Sequence, residues 1–263
     1  MDIETCFEKL WKDYTTLNPS TEEIYNALKA KGNDIINDHV AFRTFEGKYG
    51  IEHFAQAFLA LGYEAKGEYT FTEKRLFARH YEHENHDLPK IFISELKTKE
   101  FSPFLQDIVS KATASISSEQ AAAEDFFLLG RPWPAKHAIY QELIKESEYA
   151  AWLYAFGFRA NHFTVNVNRL NTFTELVELN NFIESIGFEL NDSGGKIKGS
   201  PQDYLEQSST KAKKIAVAFE DGEYEIPGCY YEFAKRYELP EGGLYQGFVA
   251  KSADKIFEST NKY

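Results

Sequence analysis

Two histidines and one glutamate in this chain have the residue types and surroundings of metal ligands. His39 opens the segment Asp38-His39-Val40-Ala41-Phe42-Arg43-Thr44-Phe45, and His162 opens Asn161-His162-Phe163-Thr164-Val165. Glu232 lies in Tyr230-Tyr231-Glu232-Phe233-Ala234, among aromatic and apolar neighbours. A carboxylate in such a strand needs a partner, because an unpaired buried charge is costly. A divalent ion is one such partner, and two imidazoles with a carboxylate form a recurring ligand set for non-heme Fe(II). Three ligands on one face of an octahedron leave the opposite face open. Two open positions can chelate a substrate, and the third can take O₂. Taken singly, either histidine is equally well explained by a backbone hydrogen bond at a strand end. Glu232 could instead pair with Arg236 or Lys235, although parity puts Lys235 on the opposite face. The matched placement of the two histidines favours the metal.

Around this set stand weaker candidates. Arg43 lies four residues after His39, so strand parity puts both side chains on one face. A guanidinium there can hold a substrate carboxylate bidentately, or it can be a structural ion pair. His80 falls in the cluster His80, His83 and His86 with Arg79, Glu82, Glu84 and Asp87. His80 is read as facing the pocket and contacting substrate, and His83 and His86 as solvated. Glu95 closes a strand-like run and is the candidate fourth ligand. His53 reads as exposed on a helix, and His137 has no assigned role.

These residues need elements to hold them. Residues 1–35 form a helical lead-in, with Pro19-Ser20-Thr21-Glu22-Glu23 starting a second helix. A first module, about 36–98, reads as strand, helix (51–61) and three strands (63–71, 75–82 and 90–96). A helical insertion, 99–160, is broken by the Pro132-Trp133-Pro134 turn and packs onto the modules. The pattern then returns over about 161–237: a strand at His162, a helix over 174–186, a strand starting at Phe188–Leu190, another over 213–220, and a last one from Cys229 to Ala234. Leu61-Gly62-Tyr63 and Ile186-Gly187-Phe188 leave the two helices alike. The histidine interval, 162 − 39 = 123 residues, is too long for a solenoid period. The expected fold is therefore α+β: one domain, 1–263, in which two βαβββ modules form a curved mixed sheet around the metal site.

Composition narrows the function classes. The chain is 43% hydrophobic and 27% charged, as in a globular protein. Its 22 Phe, 16 Tyr and 3 Trp suit a β-rich core. A net charge of −12 without a basic block argues against nucleic acid, and equally against an anionic membrane. The densest basic run, Lys211 to Lys214, is short and solvated. Cys6 and Cys229 stand apart with no CxxC pair, which argues against a thiolate zinc site. The acidic amino terminus has no signal pattern, and no apolar run approaches the ~20 residues of a membrane span. A cytoplasmic enzyme is expected.

Asp38-His39-Val40-Ala41-Phe42-Arg43-Thr44-Phe45, Asn161-His162-Phe163-Thr164 and Tyr231-Glu232-Phe233-Ala234-Lys235-Arg236 resemble the signatures of the 2-oxoadipate dioxygenase/decarboxylase family, within the vicinal oxygen chelate superfamily. Ile91-Phe92-Ile93-Ser94-Glu95-Leu96 adds to the likeness, which spans about residues 35 to 260 of what looks like a short member. The resemblance implies His39, His162 and Glu232 as iron ligands and Arg43 as the contact for a substrate carboxylate. It also implies O₂-dependent decarboxylation of a 2-oxo acid, with 2-oxoadipate giving 2-hydroxyglutarate in lysine breakdown. Two rivals remain. A glyoxalase-type isomerase or lyase would hold Zn, Ni or Mn with four protein ligands, Glu95 being the fourth. A non-catalytic binding module of the same fold would hold no metal.

Overall fold

The computed structural model describes residues 1–249. Two helices lead in, α1 (Ile3–Leu17) and α2 (Pro19–Ala30). Asp2 caps α1 by accepting from Thr5 N, and Pro19 starts α2 at a position that needs no N–H. The first module follows as β1 (Asn37–Phe45), α3 (Ile51–Ala60), β2 (Glu64–Phe71), β3 (Leu76–Glu82) and β4 (Lys90–Leu96). The insertion holds α4 (Pro103–Ala114), α5 (Ser118–Ala121), α6 (His137–Glu146) and α7 (Glu148–Phe156). The second module is β5 (Ala160–Asn166), α8 (Leu176–Ser185), β6 (Lys198–Ser200), β7 (Leu205–Ser209), β8 (Lys214–Phe219), β9 (Gly222–Pro227) and β10 (Glu232–Arg236).

One eight-stranded sheet runs through both modules in the order β2-β3-β4-β1-β5-β10-β7-β6. The order has an internal two-fold. Outward from the centre, β1, β4, β3 and β2 match β5, β10, β7 and β6. In both halves the first pairing is parallel and the next two are antiparallel. The halves join through β1 and β5, which run antiparallel. Mixed sheets of this kind curl, which gives the curved sheet expected from the sequence.

The sheet is covered on both faces at its centre, so β1 is buried from Asp38 to Phe45 without a polar side. On one face Phe42 packs against Phe54 and Phe58 of α3 and against Phe127. On the same face of β5, Phe163 meets Trp11 and Tyr14 of α1. His39, Ala41 and Arg43 point to the opposite, concave face, as do His162 and Thr164. Along the described part of α7, every residue from Tyr149 to Phe156 is buried, and the helix closes one end of the concave face. Gly157 then turns the chain into β5 at φ 71°, where a Cβ would lie 1.9 Å from Gly130 O, so only glycine fits.

Two strand expectations are corrected. Phe188–Leu190 forms no strand, and Leu190 makes only an isolated bridge to Thr210. Residues 213–220 do form a strand, but β8 pairs with β9 in a separate two-stranded sheet. The inner strand of the second half is instead the polar β7, with the short β6 outside it. No helix among the described residues is long and apolar enough to cross a membrane.

Candidate metal centre

Two irregularities in the central pairing build the site. Along β1 and β5 the partners run Asn37↔Val165, His39↔Thr164, Val40↔Phe163, Ala41↔His162 and Phe42↔Ala160. Asp38 is therefore the extra residue of one bulge and Asn161 the extra residue of the other. A bulge abolishes the alternation of side chains between faces. Each extra residue can thus reach the histidine that follows it. Asp38 Oδ1 lies 2.8 Å from His39 Nδ1, and Asn161 Oδ1 lies 3.0 Å from His162 Nδ1. Both oxygens only accept, so each Nδ1 carries a proton and each Nε2 is turned to the concave face. This is the arrangement that orients metal-ligating histidines.

Glu232 comes from β10, whose register sets it beside Thr164. His39, His162 and Glu232 each offer one ligand atom, and these atoms all lie within 4.8 Å of one another. Glu232 Oε1 is 3.4 Å from His39 Nε2, and Oε2 is 3.6 Å from His162 Nε2. Neighbouring ligands of one ion with bonds near 2.1 Å stand about 3 Å apart, so small side-chain shifts suffice to close the set on a metal. Glu232 is fully buried, and its Oε2 has no hydrogen-bond partner among the described residues. A buried carboxylate oxygen beside two imidazoles fits a cation. The donor set of two nitrogens and one carboxylate fits Fe(II) and its neighbours, and does not demand a soft metal.

The surroundings support the same electrostatic picture. Burial pulls the His39 imidazole down, yet hydrogen bonds to Asp38 and Glu232 prevail and hold its pKa above the ordinary 6.5. His162 is lowered to about 3, first by burial and further by the charges of His39 and Arg43. Burial pushes Glu232 up, but His162, His39 and Gln207 together hold it below its ordinary value. Gln207 Nε2 donates to Glu232 Oε1 at 2.5 Å, and Thr164 Oγ1 lies 3.3 Å from the same oxygen and 3.1 Å from His39 Nε2. Tyr230 stacks on His162 at 4.7 Å. Behind His39, Asp38 takes a fork from Arg236: Nε at 2.6 Å and Nη2 at 2.8 Å. Burial raises Asp38, but Arg236 outweighs it and keeps the carboxylate well below its usual range.

The remaining sequence candidates divide. Arg43 is buried on the concave face, with its guanidinium 5.0 Å from the Tyr149 ring and 5.1 Å from the Trp152 ring, both of α7. A cleft of about 510 Å³ reaches Arg43 and Tyr149 from outside, between Lys74, Arg75 and Lys145. His80 does face the site, but both ring nitrogens are engaged. Nδ1 is 2.8 Å from Tyr69 Oη, and Nε2 is 2.8 Å from Glu82 Oε1. It forms wall rather than offering a free nitrogen to substrate. Glu95 is on the wrong face. Its carboxylate accepts from Ile51 N at 2.9 Å and caps α3, so it does not reach the ligand group. The two-fold explains why. As β10 sets Glu232 beside Thr164, two residues past His162, β4 sets Phe92 beside Ala41, two residues past His39. The position matching Glu232 is Phe92, which cannot ligate. Arg236 and Lys235 do not neutralise Glu232: Arg236 serves Asp38, and Lys235 pairs with Glu175 at 2.6 Å.

Asp38, Asn161, Thr164, Gln207, Tyr230 and Phe248 had no assigned role in the sequence reading. The Asp/Asn-His repeat carried a signal for the first two. Gln207 and Phe248 had none, because their strand register and chain path are tertiary facts.

Comparison with known proteins shows the chain's family. The family described as 2-oxoadipate dioxygenase/decarboxylase matches residues 7–243. A curated relative from Oryza sativa subsp. japonica, a chloroplastic/amyloplastic 2-oxoadipate dioxygenase/decarboxylase, is 36% identical over 98% of this chain and 79% of its own length. The chloroplastic enzyme of the same name from Arabidopsis thaliana is 36% identical over 94% of this chain and 74% of its own. Among solved structures, hydroxyglutarate synthase from Oryza sativa in complex with 2-oxoadipate superposes with a TM-score of 0.90 at 35% identity, covering 97% of this chain and 91% of that one. A protein from Shewanella frigidimarina NCIMB 400, solved under the name of a hydrolase, gives 0.91 at 46% identity, covering 95% and 98%. A glyoxalase-superfamily protein from Ralstonia eutropha JMP134, 20% identical with a TM-score of 0.73 over 88% of this chain and 80% of that one, shares the fold. This chain belongs to the 2-oxoadipate dioxygenase/decarboxylase family.

Proposed function

We propose that this protein holds Fe(II) on His39, His162 and Glu232 and uses O₂ to convert 2-oxoadipate to 2-hydroxyglutarate and CO₂. The step balances: the C1–C2 bond breaks and the C1 carboxylate leaves as CO₂ with its own two oxygens, one atom of O₂ turns the former keto carbon into a carboxylate, and the other is inserted into a C–H bond of the adjacent carbon as the hydroxyl. The reading is carried by one observation: two imidazoles and a buried carboxylate, one oxygen of which has no hydrogen-bond partner among the described residues, converge with ligand atoms within 4.8 Å of one another. The family relationship and the 2-oxoadipate bound in the rice homologue support the substrate. The step fits lysine breakdown in the cytoplasm.

When bound, the ion supplies Lewis acidity and open positions for the substrate oxygens and O₂. The chain does the rest. Asp38 and Asn161 fix the imidazoles so that Nε2 atoms face the ion. Gln207 and Thr164 hold the Glu232 carboxylate in place. Arg43, close to the rings of Tyr149 and Trp152, anchors the distal carboxylate and fixes the direction of the chain. The surface cleft that reaches it is lined by charges of both signs, Lys74, Arg75 and Lys145 with Glu73, Glu146 and Glu148. Phe92 on the module-one side denies a fourth protein ligand, which keeps positions open for oxygen chemistry and argues against a four-ligand isomerase. His80 positions its neighbours through Tyr69 and Glu82.

The test is direct. Protein loaded with Fe(II) without O₂ should give a visible charge-transfer band on adding 2-oxoadipate. Admitting O₂ should bleach it, with one equivalent each of O₂ consumed and 2-hydroxyglutarate formed. Absence of O₂ uptake with every 2-oxo acid tried would sink the proposal.

A further inference from the structure

The wall opposite the three ligands is built from two phenyl rings, and one of them belongs to no strand. Phe248 lies in the segment that follows β10. Its ring centroid is 4.9 Å from that of His39, edge-on, 4.8 Å from that of Phe92 and 5.3 Å from that of His80. His39, Phe92 and His80 share the concave face, so Phe248 lies over it, against a ligand imidazole. Phe92 occupies the place where the internal two-fold would put a fourth ligand. The side of the ligand set where no described residue offers a further ligand is thus bounded by Phe92 and Phe248 together.

The segment is held by dedicated hydrogen bonds. Phe248 N donates to Tyr69 Oη at 3.1 Å, and that hydroxyl bonds to His80 Nδ1. Arg236 Nη1 donates to Tyr245 O at 2.9 Å and to Gly247 O at 2.8 Å, while its other two nitrogens hold Asp38. The guanidinium lies 5.2 Å from the Phe248 ring centroid. The ring therefore has a fixed place, set by the same arginine that steadies the residue behind His39.

We propose that Phe248 is a specificity-determining residue: with Phe92 it admits 2-oxo acids whose chain is unbranched next to the keto group and excludes branched and aromatic ones. The inference rests on the 2-oxo acid reading above. A methylene chain can pass along two phenyl faces, whereas a branch or a ring near the keto carbon must occupy the volume of the Phe248 ring. Tyr69 and Arg236 act as positioning residues for this wall.

The experiment uses the full chain as wild type, Phe248→Ala and Tyr69→Phe. Turnover is compared for 2-oxoadipate, 3-methyl-2-oxobutanoate and phenylpyruvate. Separately, the Co(II)-loaded proteins are titrated with azide and with 4-phenylimidazole, following the visible cobalt spectrum. Phe248→Ala should reduce the preference for 2-oxoadipate over phenylpyruvate by at least about tenfold, the size of effect a reshaped apolar pocket gives. It should also admit 4-phenylimidazole to cobalt while leaving azide binding as it was. Tyr69→Phe, which keeps the ring and removes only the hydroxyl, should move both ratios the same way by less. Wild-type protein that turns over none of the acids overturns the functional reading alone. Unchanged azide-to-phenylimidazole ratios in both variants overturn the wall, whatever the acids do. If Phe248→Ala fails to fold, Tyr69→Phe decides by the same ratios.

Discussion

Asp38 and Asn161 occupy the same bulge position in the two halves of the sheet, each bonded to Nδ1 of the histidine that follows, yet one is a charged carboxylate and the other a neutral amide. The difference is matched behind them. Asp38 faces the Arg236 fork, whereas Asn161 Nδ2 is buried with no partner among the described residues. The two histidines are thus oriented alike but shifted in opposite directions: His39 is raised, burial being outweighed by its hydrogen bonds to Asp38 and Glu232, and His162 is lowered by burial to about 3.

Asp38→Asn should accordingly harm more than Asn161→Ala. It strands Arg236 as a buried cation without its counter-charge, a loss of roughly 3–5 kcal/mol by analogy with broken buried pairs. It also weakens the hold on His39, which costs about 10–100-fold in metal affinity. Asn161→Ala should lower metal affinity by about tenfold within that range, with little change in denaturation midpoint. Urea melts and metal titrations of the two variants check the order. Equal losses would contradict the division of labour.

The pH dependence of metal binding follows from the two imidazoles. His162, lowered to about 3, is neutral throughout the working range. His39 is raised, burial being outweighed by hydrogen bonds to Asp38 and Glu232, so in the metal-free protein it binds a proton more readily than an ordinary imidazole. A metal must displace that proton. Below the raised pKa of His39, apparent metal affinity should fall about tenfold per pH unit, and binding should release one proton. The metal-free fold shows the opposite trend. A raised histidine pKa contributes stability that is complete below 6.5 and is lost as pH rises through the folded value. Melting curves of metal-free protein should therefore fall with rising pH above 6.5, and His39→Gln should flatten that slope. A flat slope in the wild type would remove His39 as its source.

Much of this site was legible from the chain, for identifiable reasons. His39 and His162 were legible because they recur at matched strand starts, and Arg43 was placed on the same face as His39 by its spacing of four, since period-two alternation survives in any sheet. Glu232 was found because a carboxylate among tyrosines is conspicuous. The second half of the sheet was less legible. β7, with the sequence Leu205-Glu206-Gln207-Ser208-Ser209, is polar because it supplies Gln207 to Glu232 and Ser208 to Asn180. An apolar-alternation reading passes over such a strand and selects the apolar run 213–220, which forms the outlying β8. Glu95 misled for a related reason. Proximity to the end of a strand says nothing of which face a side chain takes, and only the β1–β4 register reveals that Phe92 holds the matching place.

That register yields a sharper test of the three-ligand arrangement. Glu95→Gln should leave metal content and turnover unchanged and cost about 1 kcal/mol, as expected for a weakened helix cap. Phe92→Glu puts a carboxylate where the two-fold calls for a ligand. It should raise affinity for Zn or Mn and abolish O₂ uptake, because an open position is filled. Metal analysis and an oxygen electrode suffice. A Phe92→Glu variant that still consumes O₂ with 2-oxoadipate would show that the open side lies elsewhere.

Arg43 provides the last test, because its surroundings separate charge from shape. Its guanidinium lies 5.0 Å from the Tyr149 ring and 5.1 Å from the Trp152 ring, and Tyr149 Oη is bonded to Thr44 N and Ser94 O, so that ring is fixed to the ends of β1 and β4. Lysine keeps the charge but loses both the planar stack and the fork. Arg43→Lys should therefore lower kcat/KM for 2-oxoadipate, and Arg43→Met should lower it further, by roughly 10–100-fold for a lost charge-assisted contact of about 1.5–3 kcal/mol. For 2-oxohexanoate, which has the same chain length but no distal carboxylate, neither variant should differ from wild type by more than a few-fold. Metal content should be unaltered, since Arg43 is not one of the three ligand residues. If both acids lose equally, Arg43 holds the architecture of the α7 end and not the substrate.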